Sequence, residues 1–204
     1  MAKNDSYFEG LERDRWRLLA GGFRPSFPGG SVDYALDSQG MALRNGGILA
    51  PREVKLRTGL FYYRFIDTVF HNVTVAKSGD LAYFGRWWIN GEMMSACRRF
   101  ALEQGYCLSD AAKYFFALPY EWGDHRRLVR ALLAETVRAW EGNGAPAHSS
   151  EIDSVKAHPR DRGTTWIAPQ HIEVRQLFIP GSPEEIRASF REYQCEYADR
   201  ASFW

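Results

Sequence analysis

The strongest apolar run of the chain lies at residues 60–66, directly after the turn-forming pair Thr58-Gly59. Its β-branched and aromatic residues, in a segment of strand length, predict a buried strand. Residues 71–76 alternate polar and apolar positions and predict a second strand, which ends at the turn residues 78–80.

Helical spacing of apolar residues replaces this pattern between residues 91 and 140. One helix is predicted from about Met93 to Gly105, and a second from Ser109 or Asp110 to Pro119.

A third helix is predicted from Asp124, as its N-cap, to Trp140. Its apolar residues form a single stripe at helical spacing. These residues are Leu128, Val129, Leu132, Leu133, Val137 and Trp140.

The C-terminal part of the chain predicts a strand followed by a helix. Residues 171–179 alternate early and become apolar late, which favours a strand ending at Pro180-Gly181. Residues 182–185 combine a serine cap, a proline and two acids, and this is typical of a helix start. That helix is predicted to extend to about Tyr197.

The order of elements predicts an α+β fold with a small mixed or antiparallel sheet. The three-helix block is inserted between strands, and a C-terminal helix follows the last strand. We assign residues 1–52 to an irregular N-terminal arm, with a short helix near residues 8–19, and residues 53–204 to a single α+β domain.

The charge of the chain is balanced, with 26 Lys+Arg against 25 Asp+Glu among 204 residues. This argues against a protein that holds nucleic acid through many phosphate contacts. No apolar run approaches membrane-spanning length, and the polar N-terminus does not resemble a secretory signal. We therefore expect no membrane association, and a protein that is cytoplasmic or exported without a cleavable signal peptide. The cysteines and histidines are not at metal-ligand spacing, so no metal site is expected.

An arginine within the first predicted strand is the first candidate binding residue. Arg64 follows Tyr63 in an aromatic segment, where a guanidinium is costly unless it binds an anion or hydrogen-bond acceptors. The alternative is that strand alternation turns Arg64 towards solvent.

Adjacent tryptophans provide the second candidate. Trp87 and Trp88 cannot both lie on one face of a strand, so one could be core and the other a stacking surface. Arg86 beside them could hold an anion. The alternative is two core aromatics at the entrance to a helix.

Residues that could perform acid–base chemistry are close together at Glu121, Asp124 and His125. However, an aspartate directly before an apolar stripe is typical of a helix cap, with His125 in the first turn. We therefore interpret this group as structural.

The last candidates begin the C-terminal strand. His171 and Glu173 are two residues apart and would share one strand face. A carboxylate there could orient a ribose hydroxyl or stabilise a cationic transition state. An ordinary solvent-facing strand edge is the alternative.

Short motifs in these segments resemble the ADP-ribosyltransferase superfamily, whose members use NAD. Tyr63-Arg64 resembles the element on an early strand of that family. The segment from Glu173 through the apolar residues 177–179 to Pro180-Gly181 resembles its late strand. In addition, Gly85-Arg86-Trp87 resembles the Gly-Arg-Trp element of the related RES-domain toxins.

The resemblance implies an NAD-dependent ADP-ribosyltransferase or NAD glycohydrolase, such as a bacterial toxin or effector. Arg64 would hold an NAD phosphate or ribose, and Trp87 or Trp88 would lie near the nicotinamide. Glu173, with His171 beside it, would stabilise the oxocarbenium-like transition state. The alternative is a non-enzymatic interaction module, such as a secretion accessory, immunity or phage-defence factor, whose aromatic surface binds a protein partner.

Overall fold

The computed structural model describes residues 2–68, 79–119, 122–149, 164–170 and 172–201. The described part contains four α-helices: α1 (Gly10–Ala20), α2 (Gly91–Gln104), α3 (Leu108–Phe115) and α4 (Pro183–Arg187). Its strands are β1 (Pro25–Ser26), β2 (Asp33–Tyr34), β3 (Arg52–Lys55), β4 (Phe61–Ile66), β5 (Trp87–Asn90), β6 (Arg127–Leu133), β7 (Arg138–Asn143), β8 (Ala147–His148), β9 (Thr165–Trp166), β10 (Arg175–Phe178) and β11 (Phe190–Tyr197). None of these helices is long and apolar enough to cross a lipid bilayer.

Seven of the strands form one sheet in the order β11-β6-β4-β5-β10-β7-β3. Every neighbouring pair in it is antiparallel. Two small two-stranded sheets, β1-β2 and β8-β9, lie outside it. The predicted α+β class is therefore confirmed.

The main sheet is buried on both faces. On one face, Tyr62, Trp88 and Val129 pack with Phe84, Phe190 and Ile186 of α4 in one apolar core. The opposite face has two separate apolar clusters. One contains Ile89 and Leu128 with residues of α2 and α3, and the other contains Trp87, Trp140 and Phe178 with Trp16 of α1. The second face is thus covered by two helical layers, one at each end of the sheet.

The predicted third helix is wrong, because residues 124–140 form β6 and the start of β7. Burial explains the error. Leu128 lies in the core beneath α2 and α3, whereas Val129 and Leu133 lie in the core of the opposite face. A strand that is buried on both sides carries apolar residues without alternation, and it cannot be distinguished from a helix by spacing alone.

The C-terminal helix is much shorter than predicted. Ser182 caps α4 through the predicted capping box with Glu185, but α4 ends at Arg187. Residues 190–197 form β11 at the edge of the sheet, paired with β6 along its length. The strand β11 therefore stands where the continuation of the helix was predicted. Its pairing with β6 satisfies the backbone groups that a longer helix would have satisfied internally.

Several local predictions are confirmed. Helix α2 begins after Asn90, whose side-chain oxygen accepts a hydrogen bond from the Met93 N–H at 2.9 Å, and it ends at Gly105 with φ 68°. Strand β4 lies within the predicted residues 60–66. The predicted strand at residues 71–76 lies outside the described residues.

The N-terminal segment contains the short helix that was predicted for it. Helix α1 packs onto the sheet through Trp16 and Ala20. Preceding it, Asn4 donates a hydrogen bond from its amide to the Arg138 carbonyl and accepts one from the Arg138 N–H. The segment assigned to an arm is thus tied to strand β7.

Candidate functional site

A cavity of about 540 Å³ opens on the second face of the sheet, between the two helical layers. This volume is within the range of small-molecule sites. Its floor comes from β4, β5 and Gln176 of β10, and its sides come from the segment after α3, from residues 122–125 and from Gly46-Gly47. The residues of the lining that carry polar groups are Tyr63, Arg64, Asp67, Trp87, Trp122, His125 and Gln176; Trp88 also borders the cavity, but its ring lies in the core of the opposite face.

Arg64 is the main cationic group of this cavity. Its Nη1 donates a long hydrogen bond of 3.4 Å to the Trp87 carbonyl, and its Nε makes no hydrogen bond within the described chain. Desolvation lowers the pKa of the guanidinium to about 10, and no carboxylate among the described residues is close enough to oppose it. The group therefore remains protonated at neutral pH without an anionic partner there.

The position of Arg64 follows from a divergence of strands β4 and β5. Their register consists of Tyr62 opposite Asn90 and Tyr63 opposite Ile89. Strand β4 nevertheless continues to pair with β6 as far as Ile66. The guanidinium occupies the space that opens beyond this register, against Gly85, where an added Cβ would overlap it. Glycine at position 85 thus provides the room for the arginine.

The two adjacent tryptophans point to opposite faces of the sheet, as their neighbouring positions on a strand predicted. Trp88 is 1% exposed and stacks on Phe190 with ring centroids 4.8 Å apart in the core of the first face. Trp87 lies on the other face, where it meets Phe178 edge-on at 4.9 Å and lines the cavity. Trp87 is therefore the tryptophan of the pair that can offer a ring to a ligand.

Further aromatic surface comes from residues that the sequence did not single out. Trp122 lies across Gly46, where an added Cβ would be 2.7 Å from its ring. Phe65 and Phe116 have ring centroids 6.1 Å apart and also belong to the lining. The cavity is thus largely aromatic, with a few polar groups between the rings.

His125 is a polar residue of the lining, and the prediction that it lies in the first turn of a helix is wrong. It is not in a helix but lies just before β6, with φ 53° and 6% of its surface exposed. Its Nδ1 is 2.7 Å from the Gly123 carbonyl oxygen. Desolvation lowers the pKa of the imidazole to about 4, so the ring is neutral at pH 7. The acid–base residue types near position 124 were the signal that could have identified it.

Reciprocal hydrogen bonds hold the backbone on both sides of His125. The Asp124 N–H donates to Asp67 at 2.9 Å. The Asp124 carboxylate in turn accepts from the N–H groups of Thr68 at 2.8 Å and Arg126 at 3.1 Å. These bonds keep the pKa of the Asp124 carboxyl below its usual value, although desolvation opposes them. Asp124 is therefore a local structural cap, but it caps a turn before a strand.

Backbone strain is concentrated at this site. Of the non-glycine residues described with positive φ, Ala117 and His125 both line the cavity, whereas Ala50 does not. Such conformations are costly and recur at functional sites, where the surrounding structure maintains them.

The remaining sequence candidates are not brought into the cavity. Arg86 donates a hydrogen bond from Nε to the Gly181 carbonyl and stacks on Trp16 at 5.0 Å, so it joins α1 to the turn before α4. Glu173 precedes β10, is exposed, and has its carboxylate 3.9 Å from Arg175 Nε. Glu173 is not part of the lining. His171 lies outside the described residues.

Comparisons with family models, with curated proteins and with solved structures find no match for this chain. Within the described residues, no group of three or more His, Cys, Asp or Glu side chains is arranged to hold a metal ion. The cavity is therefore the feature of the molecule from which a function can be inferred.

Proposed function

We propose that this protein binds a small organic anion with a flat ring in the Arg64 cavity. The observation that carries the proposal is the guanidinium of Arg64, which is desolvated and has no carboxylate partner among the described residues. A half-buried, desolvated cation without a counter-charge costs stability unless it serves another purpose. An anion entering from the open side would provide the missing counter-charge.

The walls of the cavity favour a ligand with an aromatic body. Trp87, Phe116 and Trp122 are aromatic residues of the lining that also contains Arg64, and flat ligands bind aromatic surfaces through dispersion and offset stacking. Asp67, His125 and Gln176 add a few polar groups that can fix orientation. A nucleotide combines the required features: phosphate, ring and hydroxyl groups.

NAD is the specific ligand suggested by the sequence, and NAD cleavage or ADP-ribosyl transfer is the enzymatic form of this proposal. Tyr63, Arg64 and Trp87 support it because they line one cavity, whereas the Trp88 ring is buried in the core of the opposite face. A carboxylate is needed to stabilise the cation that forms as nicotinamide leaves. Asp67 is the carboxylate of the lining, whereas Glu173 was the residue suggested by the sequence. Both are therefore tested.

Binding can be measured by titrating the purified chain with NAD, AMP and inorganic pyrophosphate in a calorimeter. We expect Arg64→Met to weaken binding of these anions by at least about tenfold, since a charged hydrogen bond contributes roughly 1.5–3 kcal/mol. Because the substitution also removes a desolvated cation without a carboxylate partner among the described residues, it should not lower the free energy of unfolding. Arg191→Met, at an exposed position on β11, is the matched control and should bind like the wild type.

Nicotinamide release from NAD, followed by chromatography, tests the enzymatic form. Loss of release in Asp67→Asn but not in Glu173→Gln assigns the carboxylate to the cavity, and the reverse result assigns it to Glu173. Absence of release in the wild type would contradict NAD hydrolysis. ADP-ribosyl transfer is tested with labelled NAD and a lysate that supplies acceptor proteins. If none of the three anions binds the wild type, anion binding at this cavity is wrong.

A second candidate function, interaction with a protein partner, is favoured by the N-terminal segment rather than by Trp88. Large apolar side chains are exposed there, including Leu36 at 54% and Met41 at 64%. Phe27, Tyr34 and Leu49 are also exposed within residues 27–49. Clustered exposed apolar residues are typical of interaction surfaces.

A second copy of the chain is the partner that can be tested directly. We expect sedimentation velocity to detect association of the wild type as its concentration rises, and Leu36→Ser with Met41→Ser to abolish it. Arg64→Met should associate like the wild type, since it leaves this surface unchanged. A wild type that remains monomeric at every concentration would contradict self-association through this segment.

A further inference from the structure

The tautomer of His125 is fixed by its environment. Nδ1 is 2.7 Å from the Gly123 carbonyl oxygen. A carbonyl oxygen only accepts hydrogen bonds, so Nδ1 must carry the proton and donate it. In a neutral imidazole, the second nitrogen then has a free lone pair. Nε2 of His125 is therefore an acceptor.

This acceptor has no partner among the residues that the structure describes. Among the described residues, the imidazole makes its hydrogen bond through Nδ1. Nε2 makes none, and it is not fully buried. The side chain is otherwise buried and lines the cavity. A ligand in the cavity can therefore approach the exposed part of this imidazole.

His125 is also held in place by its surroundings. Its positive φ is maintained by the hydrogen bonds of Asp124 and by the contact of Asp67 with Gly123, where an added Cβ would be 2.6 Å from the Asp67 carboxylate. A strained residue fixed from both sides cannot easily turn its ring elsewhere. The acceptor is therefore pre-organised before any ligand enters.

We propose that Nε2 of His125 accepts a hydrogen bond from a hydroxyl group of the anion that Arg64 binds. This inference rests on the proposed function and narrows its ligand class to anions that also carry a hydrogen-bond donor. Arg64 and His125 line the same cavity of about 540 Å³, which is of the size that takes one small-molecule ligand. One ligand of nucleotide size can therefore reach both residues.

His125→Asn is the variant that isolates this contact. Its side-chain amide can replace Nδ1–H as the donor to Gly123, and asparagine tolerates positive φ. It has no atom at the position of Nε2. The fold should therefore be retained while the acceptor is removed.

The probes are AMP and 2′,3′-dideoxy-AMP, which share phosphate and adenine but differ in the ribose hydroxyls. We expect the wild type to bind AMP about three- to tenfold more tightly, as the gain from one hydrogen bond implies. His125→Asn should bind the two probes within about twofold of each other. Arg64→Met should weaken both probes while leaving their ratio near that of the wild type.

Different results separate the two proposals. Equal affinity of the wild type for AMP and dideoxy-AMP, with a loss in Arg64→Met, overturns the role of His125 but keeps anion binding. An unchanged preference for AMP in His125→Asn also overturns it. If neither probe binds the wild type, both proposals are wrong for nucleotides. A ligand-free control uses ¹⁵N NMR of the imidazole, where a proton on Nε2 at pH 7 overturns the inference by itself.

Discussion

The pH dependence of unfolding is expected to report directly on His125. Desolvation is the largest influence on this imidazole and lowers its pKa from 6.5 to about 4. The charged groups near it act in smaller measure: Lys113 lowers the pKa, whereas Asp124 and Asp67 raise it. In the unfolded chain, the same imidazole would titrate near its ordinary value.

The sign and size of the effect follow from proton binding. Between about pH 4 and 6.5, the unfolded chain binds a proton at this residue and the folded chain does not, so stability falls as the pH falls. This destabilisation is nearly absent above pH 6.5 and reaches roughly 3 kcal/mol below about pH 4. From pH 7 to pH 5, the wild type should lose about 2 kcal/mol through this group.

The perturbation is His125→Asn, which removes the titrating group but keeps the donor to Gly123. Urea unfolding of the wild type and the variant, followed by tryptophan fluorescence at pH 7, 6 and 5, gives the difference in their free energies of unfolding. This difference should shift by about 2 kcal/mol in favour of the variant on going to pH 5. The pKa of Asp124 is lowered, so its titration contributes little in this range. A difference that does not change with pH would refute the buried, neutral state of His125.

Three further predictions concern positions around the site. Gly85→Ala should displace the Arg64 guanidinium and therefore weaken AMP binding as much as Arg64→Met does. Overpacking at this position should also lower the free energy of unfolding by about 1–3 kcal/mol. Wild-type affinity for AMP in calorimetry would contradict this prediction. Trp88→Ala should lower the free energy of unfolding, measured by urea denaturation, by about 3–5 kcal/mol because the ring is buried against Phe190. A loss below about 1 kcal/mol would place this ring outside the core. Asn90→Ala should cost about 1 kcal/mol by removing the cap of α2. An unchanged urea midpoint would show that the cap contributes nothing.

Local chemistry in the sequence determined several elements of this fold. The capping residues Asn90 and Ser182, and the glycine at position 105, mark helix ends because they satisfy or terminate backbone hydrogen bonds within a few residues. Strand β4 was predictable for a similar reason, since a short run of β-forming residues follows a turn. The candidate ligand residues Arg64 and Trp87 were also found from residue type and neighbours.

The tertiary structure decided what depends on partners distant in the chain. The apolar run of β6 suits a helix or a doubly buried strand, and only pairing with β4 and β11 selects the strand. The environment of Arg64 depends on the divergence of β4 and β5, which no local pattern encodes. His125 enters the cavity because Asp124 bonds to a strand end far away in sequence. Burial and pairing are properties of the assembled sheet, and they set the charge state and hydrogen-bonding capacity on which the candidate chemistry depends.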